Sequence, residues 1–239
     1  MRTLDFTLPT PEENLACDEA LLHRAEQNGS GEVLRFWEPR RHFVVLGLSN
    51  SYRTETRPRN CRTQGVPILR RCSGGGAVLQ GPGCLNFALI LRIRKPGSLE
   101  NISATNRFIM ERHRRALENL LAHPVSIQGS TDLTLENLKF SGNSQRRGVH
   151  WLLFHGTFLF RFDLSLMESL LAFPSRPPPY RGSRHHSRFL TNLPLSAGQI
   201  KKELRKIWNA GESLRAIPRK EISWLLENRY SRPDWNLRN

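Results

Sequence analysis

The chain has 239 residues, of which 38% are hydrophobic and 24% are charged, values typical of a globular protein able to bury a sizeable core. Its 36 basic and 21 acidic residues give a formal net charge of +15, which predicts a negatively charged ligand or partner without identifying it. No apolar run is long enough to cross a membrane and no secretory signal is visible, so we expect a cytoplasmic protein. The four cysteines lack the close spacing of a zinc site, which agrees with a reducing compartment.

Helix signals lie near both ends of the chain. Thr10 and Pro11 are suited to open the first predicted helix, Glu13 can complete a capping box with Thr10, and Gly29 is suited to end it. Further helices are predicted over residues 103–121, 164–172, 196–208 and 219–230, and Gln199 can complete a second capping box.

Short apolar runs in the middle of the chain predict strands. They cover residues 33–37, 43–48, 66–71, 85–93, 125–128, 133–135, 139–145 and 151–162. Because these strands are grouped between helices and do not alternate with them, the sequence predicts an α+β fold with a mixed or antiparallel sheet flanked by helices.

A glycine-rich run, Arg-Arg-Cys-Ser-Gly-Gly-Gly-Ala-Val over residues 70–78, directly follows a predicted strand. Three consecutive glycines let backbone N–H groups approach an anion, and Arg70 and Arg71 could hold a phosphate or a carboxylate. A flexible hairpin turn would explain the same residues. The spacing fits neither a Walker loop nor a dinucleotide-binding motif.

Two further candidates lie on predicted strands. Lys139 would need a negative partner such as a ligand phosphate if it points inward, and would be an ordinary solvated lysine if it points outward. His155 opens the run His-Gly-Thr inside an apolar strand, where a hydrogen-bonded core histidine and a catalytic one are both compatible with the pattern.

Taken in order, these motifs resemble the lipoate–protein ligase family. The similar runs are RRCSGGGAV (70–78), GPGCLN (81–86), DLTLENLKFSGNSQRR (132–147) and HGT (155–157), and residues 178–193 resemble the segment after the catalytic strands. The resemblance implies a biotin/lipoate ligase catalytic domain, a fold related to class II aminoacyl-tRNA synthetase cores. We assign this catalytic domain to residues 1–193, with 194–239 as a helical extension of the same domain.

The resemblance also implies a two-step reaction. Lipoate and ATP would form lipoyl-adenylate and pyrophosphate, and a lysine of an acceptor lipoyl domain would then take the lipoyl group. Lys139 would be the catalytic residue, bridging the lipoyl carboxylate and the α-phosphate, and Arg70 would contact the nucleotide phosphates. The residues expected to bind ATP or lipoyl-adenylate are Arg70, Arg71, Ser73, Gly74, Gly75, Gly76, Ala77, Val78, Asn86, Lys139, Gly142, Asn143, His155, Gly156 and Thr157.

The implied ligands are ATP, lipoate and Mg²⁺, with no permanently bound cofactor. No protein motif for a metal is present, and Asp132 is a candidate ligand for Mg²⁺ that arrives with ATP. The expected partner is an acidic lipoyl domain, and no membrane partner is expected. Many family members carry a carboxy-terminal accessory domain of about a hundred residues. We expect either that the activity does not need this domain here or that a separate accessory subunit supplies it.

Two alternative functions remain open. The run GPGCL over residues 81–85 is similar to the GPGQL of octanoyltransferases, which move octanoate from acyl carrier protein without ATP. A nucleic-acid-binding module would suit the positive charge, but residues 53–71 hold six arginines and no aromatic side chain on which bases could stack. The sequence therefore favours the ligase, with the octanoyltransferase as the nearer alternative.

Overall fold

Two β-sheets organise the protein, whose computed structural model describes residues 1–238. The strands are β1 (Arg2–Asp5), β2 (Val33–Trp37), β3 (Phe43–Leu46), β4 (Ile68–Arg70), β5 (Val78–Gln80), β6 (Cys84–Arg92), β7 (Ser126–Gln128), β8 (Asp132–Leu135), β9 (Leu138–Arg147), β10 (Trp151–Leu159) and β11 (Glu212–Ser213). The larger sheet has the order β11-β1-β2-β6-β10-β9-β8-β7, and the smaller has the order β4-β3-β5. The β11–β1, β1–β2 and β3–β4 pairs are parallel and the others antiparallel, so the predicted α+β fold with a mixed sheet is confirmed.

Helices precede, interrupt and follow the strands. They are α1 (Pro11–Asn28), α2 (Tyr52–Glu55), α3 (Pro58–Thr63), α4 (Ile102–Leu121), α5 (Leu166–Leu170), α6 (Ala197–Ile207), α7 (Arg219–Leu225) and α8 (Pro233–Asn236). The predicted capping boxes are both present: Thr10 and Glu13 exchange hydrogen bonds at the start of α1, as do Ser196 and Gln199 at the start of α6.

The central strands β2 and β6 of the larger sheet are buried on both faces. Because successive residues of a strand point to opposite sides, β6 presents Ala88 and Ile90 to one face and Phe87 and Leu89 to the other. The first pair packs in a cluster with α1 and α7, and the second in a cluster with α4 and α6. This two-sided burial accounts for the continuous apolar run of β6 in the sequence.

Several elements differ from the sequence prediction. The strands β1, β5 and β11 are not predicted, because β1 and β11 contain no apolar run to mark them and β5 begins within the glycine-rich run. The helix expected over residues 164–172 is confined to Leu166–Leu170, and the helix expected over 219–230 passes into a π-helical turn at Leu226–Tyr230.

The carboxy-terminal residues pack against the amino-terminal helix and the smaller sheet. Tyr230 O–H donates to Glu19 Oε2 in α1 at 2.7 Å, and Arg70 N donates to Asn236 Oδ1 at 3.0 Å. Residues 194–238 therefore share a core with the preceding part of the chain, and the domain boundary at residue 193 stays a prediction. Within residues 1–238, no helix is both long and apolar enough to cross a bilayer.

Candidate active site

A cavity of about 430 Å³ lies between the large sheet, α1, the glycine loop (residues 73–77) and the covering segment (residues 172–191). Apolar side chains such as Leu15, Trp37 and Val45 line part of it. Its charged lining residues are four cations and two acids: Arg71, Lys139, Arg176, Arg181, Asp18 and Asp132. The cavity thus suits a ligand that joins an apolar chain to a negatively charged group. A larger, more open groove beside β1 and β11 contains none of the predicted site residues.

Arg71 shapes the glycine loop from within. Its guanidinium donates to the backbone oxygens of Gly74 and Gly76, the latter at 3.0 Å, and Ser144 Oγ also donates to Gly74 O at 2.9 Å. Gly75 has φ +88°, and a Cβ there would lie 2.8 Å from Arg71 Nη2, so a side chain would be strained and would displace the arginine. Burial lowers the pKa of Arg71 to about 10, which still leaves it protonated at neutral pH.

Lys139 and Asp132 face each other across the β8–β9 hairpin. The turn is closed by Glu136 and Asn137, which both have positive φ, as a two-residue hairpin turn requires. Lys139 Nζ donates to Asp132 Oδ1 at 2.9 Å, and Tyr180 O–H of the covering segment donates to Asp132 Oδ2 at 2.8 Å. Burial, followed by the Asp132 charge, raises the pKa of Tyr180, so its hydroxyl stays a donor.

Gly142 and Asn143 complete this part of the wall. A Cβ at Gly142 would lie 2.9 Å from Lys139 Nζ, so a side chain there would make the lysine shift from its present position. Asn143 Nδ2 donates to Thr131 O at 2.7 Å and fixes the turn before β8. The neighbouring strand supplies Gly156, where a Cβ would overlap the Asn143 side chain at 1.7 Å.

His155 connects the glycine loop to α1. Its Nε2 lies 2.5 Å from Ser73 Oγ, and its Nδ1 lies 3.7 Å from Asp18 Oδ2. Asp18 is in turn bonded to the fully buried guanidinium of Arg35 on β2. The histidine is therefore a hydrogen-bonded residue of the cavity wall, which the sequence alone left undecided.

Asn86 and Thr157 belong to a closed ring of hydrogen bonds with Gln80. Asn86 Nδ2 donates to Gln80 Oε1 at 2.8 Å, Gln80 Nε2 donates to Thr157 Oγ1 at 2.9 Å, and Thr157 Oγ1 donates to Asn86 Oδ1 at 2.5 Å. The register explains the contact, because Thr157 on β10 is directly opposite Asn86 on β6 and Gly142 on β9. Each side chain of the ring is held by the other two, which orients all three in the cavity wall.

The structure brings most of the predicted site residues to the cavity. Those lining it are Arg71, Gly75, Gly76, Ala77, Val78, Asn86, Lys139, Gly142, Asn143, His155, Gly156 and Thr157. Ser73 and Gly74 lie behind this surface, where they hold His155 and accept hydrogen bonds from Arg71 and Ser144.

Arg70 is not brought to the cavity. Its fully buried guanidinium donates to backbone oxygens on two sides, including those of Gly47 at 2.9 Å, Asn50 at 2.7 Å and Trp235 at 3.0 Å. Arg70 thereby fastens the loop after β3 to the carboxy-terminal residues, and its assignment to the nucleotide phosphates has no support from its position.

Some cavity residues are absent from the sequence prediction. Asp18, Gln80 and Arg181 line the cavity without belonging to a recognised motif, and Tyr180 reaches it through Asp132. The signal available for the covering segment is its charge, because residues 176–188 hold four arginines and two histidines but no acid. No comparable signal marks Asp18, which lies in an ordinary helix.

Metal-binding groups are sparse. Within residues 1–238, no cluster of three or more histidine, cysteine, aspartate or glutamate side chains could hold a metal ion. Both oxygens of Asp132 already have partners, Lys139 and Tyr180. A divalent cation here would therefore depend mainly on ligands brought by the substrate.

Comparison with known proteins identifies relatives of this chain. Residues 10–204 match the family model of the lipoyl protein ligase A/B catalytic domain. The protein named probable lipoate-protein ligase A in Mycoplasma genitalium is 33% identical over 174 residues, which cover 72% of this chain and 50% of that protein. The octanoyltransferase LipM of Carboxydothermus hydrogenoformans is 26% identical over 266 residues, covering 99% of this chain and 98% of that protein. The chain thus spans about half the length of the mycoplasma relatives that it matches.

Solved structures share the fold. Protein Ta0514 of Thermoplasma acidophilum with bound lipoic acid superposes with a TM-score of 0.83 at 20% identity, covering 99% of this chain and 98% of that one. A bipartite lipoate protein ligase described with its E2 lipoyl domain, from the same organism, gives 0.84 at 20% identity, covering 99% and 95%. A lipoate-protein ligase A bound with ATP gives 0.82 at 21% identity, covering 99% of both chains. Because the family match extends over most of its length, the chain belongs to the lipoyl protein ligase A/B catalytic-domain family.

Proposed function

We propose that the protein is an ATP-dependent lipoate–protein ligase, which forms lipoyl-adenylate and passes the lipoyl group to a lysine of an acceptor lipoyl domain. The observation that carries the proposal is Lys139, paired with Asp132 in the wall of a cavity that has apolar lining and a net excess of cations. ATP and lipoic acid bound to proteins of the same fold support the choice of ligands.

In the first step, a carboxylate oxygen of lipoate bonds to the α-phosphorus of ATP, and the bond from that phosphorus to pyrophosphate breaks. Negative charge accumulates on the phosphoryl oxygens, where the Lys139 ammonium and the glycine-loop N–H groups would stabilise it. Arg71 adds a positive charge, itself buried, beside the loop. Because these groups are held in place before the substrate binds, little reorganisation is needed.

In the second step, the acceptor amine attacks the acyl carbonyl, the amide bond forms and AMP leaves. Lipoyl-adenylate is a mixed anhydride that water would hydrolyse, so the site must restrict the access of solvent. The covering segment is suited to this role because Phe189 and Thr191 pair with the backbone of Lys139, at 2.8 Å and 3.0 Å. Mg²⁺ would neutralise phosphate charge. Its ligands would come mainly from the phosphates, and Asp132, whose two oxygens are already bonded to Lys139 and Tyr180, would add at most a supplementary ligand.

An octanoyltransferase remains the second candidate because the LipM relative matches almost the whole chain. A transferase of the covalent type would use a cysteine thiolate that can reach the acyl thioester. In residues 1–238, no cysteine lines the cavity, and all four are free and buried. Burial raises the pKa of Cys84 to about 12 and also raises that of Cys72, so both remain thiols. This environment favours the ligase.

The two candidates differ in the source of the acyl group. We expect pyrophosphate release from ATP with lipoate, compared in parallel with octanoate and biotin, and no acyl transfer from octanoyl-acyl carrier protein when ATP is omitted. Efficient acyl transfer without ATP, together with no pyrophosphate release when lipoate, octanoate or biotin is added, would establish the transferase and overturn the ligase.

Removing the thiols gives a sharper test of the same point. Cys72→Ser, Cys84→Ser and the double variant should each retain most of the lipoylation activity, because neither thiol faces the cavity. Intact-protein mass spectrometry after incubation with octanoyl-acyl carrier protein should show no adduct. A hydroxylamine-sensitive octanoyl adduct that either substitution abolishes would contradict the prediction.

The net charge of +15 bears on the acceptor. An acidic lipoyl domain would be steered toward this protein, and steering acts mainly on the association rate. Transfer at sub-saturating acceptor should therefore slow several-fold as salt rises from about 50 to about 300 mM, because the Debye length is already only about 10 Å at 0.1 M. Turnover at saturating acceptor is the control and should change little. A flat response at both acceptor concentrations would eliminate electrostatic steering.

A further inference from the structure

Arg181 is a buried cation of the covering segment that no step of the proposed reaction engages. It is 4% exposed and lines the same cavity as Lys139. Its guanidinium carbon lies 4.6 Å from the ring centroid of Phe189 and 4.8 Å from that of Phe173, contacts that fix its orientation. Because Phe189 O accepts a hydrogen bond from Lys139 N, the segment that carries Arg181 is attached to the strand of Lys139.

The guanidinium of Arg181 has hydrogen-bond donors that are not fully used. Its Nε donates to Arg184 O at 2.9 Å, whereas its Nη2 is buried and has no hydrogen-bond partner in residues 1–238. The ion pairs of that part of the chain do not include Arg181. A buried positive charge without an anionic partner and a buried donor without an acceptor are both unfavourable, so a negatively charged ligand would relieve both.

Two other cations of the cavity wall are already bonded to protein groups. Arg71 donates to the oxygens of Gly74 and Gly76, and Lys139 is paired with Asp132. A nucleoside triphosphate carries more negative charge than one partly neutralised lysine can balance. Within residues 1–238, the buried cations that line the cavity are Arg71 and Arg181, and of these two Arg181 has donors that remain available for this excess charge.

We propose that Arg181 binds the phosphate groups beyond the α-phosphate, and so holds the pyrophosphate that leaves during adenylate formation. This inference rests on the proposed ligase function, in which Lys139 takes the α-phosphate. When the bond between the α-phosphorus and pyrophosphate breaks, the electron pair stays on the pyrophosphate oxygen. A guanidinium is suited to that group because its planar donors can bind two phosphate oxygens at once.

The test compares the two half-reactions. Arg181→Gln should raise the KM for ATP in lipoate-dependent ATP–pyrophosphate exchange on the order of 10- to 100-fold, as loss of a charged hydrogen bond does. The KM for lipoate should change little, and so should transfer from synthetic lipoyl-adenylate to a lipoyl domain, because pyrophosphate is absent from that step. Arg181→Lys should be intermediate. Arg188→Gln, an exposed arginine of the same segment that does not line the cavity, should match the wild type.

Calorimetric titration with ATP and with AMP provides a readout that does not depend on turnover. The wild type should bind ATP more tightly than AMP, and Arg181→Gln should lose that preference. If the glutamine variant does not fold, Arg181→Lys takes its place and should show a reduced preference for ATP. An unchanged KM for ATP, an unchanged ATP preference, or an equal loss in both half-reactions would overturn the role of Arg181. If the wild type shows no lipoate-dependent ATP–pyrophosphate exchange, the ligase function is refuted. The ratio of ATP affinity to AMP affinity, compared between the wild type and the Arg181 variants, would still test whether Arg181 binds the outer phosphates.

Discussion

Lys139→Ala should reduce lipoate-dependent ATP–pyrophosphate exchange by about 10²- to 10³-fold, the usual effect of removing one preorganised group that stabilises developing charge. The reason is its position. Its ammonium is held by Asp132 at 2.9 Å, above Gly142. The other cations of the cavity either donate to backbone oxygens, as Arg71 does, or lie on the covering segment.

The fold should survive this change. The Lys139 side chain is 23% exposed, and Asp132 would keep the hydrogen bond from Tyr180, so no fully buried charge is left alone. Thermal unfolding should therefore be nearly unchanged. Lys202→Ala, which removes an exposed lysine of α6, is the matched control and should keep full exchange activity. Near-normal exchange by a folded Lys139→Ala protein would refute the assignment.

Asp132→Asn separates positioning from charge at the same site. The amide can still accept from Tyr180 but no longer pairs ionically with Lys139. Exchange should fall less than in Lys139→Ala, because the ammonium remains present but is held less firmly.

Elements with local signals could be predicted from the sequence. The start of α1 follows from the Thr10–Glu13 box, and β6 follows from its long apolar run, because both depend on residues close together in the chain. The position of Lys139 at a ligand cavity could be predicted only through its motif, since a lysine on a strand is equally compatible with a solvated face.

The different positions of Arg70 and Arg71 could not be predicted from the residues near them in the sequence. They are adjacent and chemically identical, so nothing near them in the sequence tells which one faces the cavity. The difference comes from distant groups: Arg70 donates to Trp235 O, 165 residues away, whereas Arg71 donates to Gly74 and Gly76 in its own loop. The role of Asp18 could not be predicted either, because its partners Arg35 and His155 lie on the distant strands β2 and β10.

The pair formed by Asp18 and Arg35 should give the largest effect on stability. Asp18→Ala should lower the free energy of unfolding by about 3–5 kcal/mol, because it leaves a buried guanidinium without its counter-charge. Arg35 is fully buried, and its remaining hydrogen bonds would be those to Asn14 O at 2.9 Å, Asn14 Oδ1 at 2.7 Å and Phe6 O at 3.4 Å. Chemical denaturation at pH 7 measures the difference.

The effect should depend on pH with a definite sign. Burial alone would raise the pKa of Asp18, but Arg35 and then His155 outweigh it, so the pKa lies below its ordinary value of 3.8. A carboxyl whose folded pKa is lowered stabilises the protein above its unfolded pKa, and that contribution is lost as pH falls through the folded pKa. The difference between wild type and Asp18→Ala should therefore be constant from about pH 7 to pH 5 and shrink below about pH 4.

Two controls distinguish a buried-charge effect from a general weakening of α1. Glu12→Ala, on the same helix, breaks the more exposed pair with Arg41 and should cost less than about 1 kcal/mol. The double variant Asp18→Ala with Arg35→Met should be more stable than Asp18→Ala alone, because it removes the stranded charge. A single variant as stable as Glu12→Ala, or a double variant no better than the single, would contradict this account. His155 would lose its Asp18 partner in both Asp18 variants. The double variant should therefore regain stability, but His155 would still lack the carboxylate that helps to hold it against Ser73 of the glycine loop.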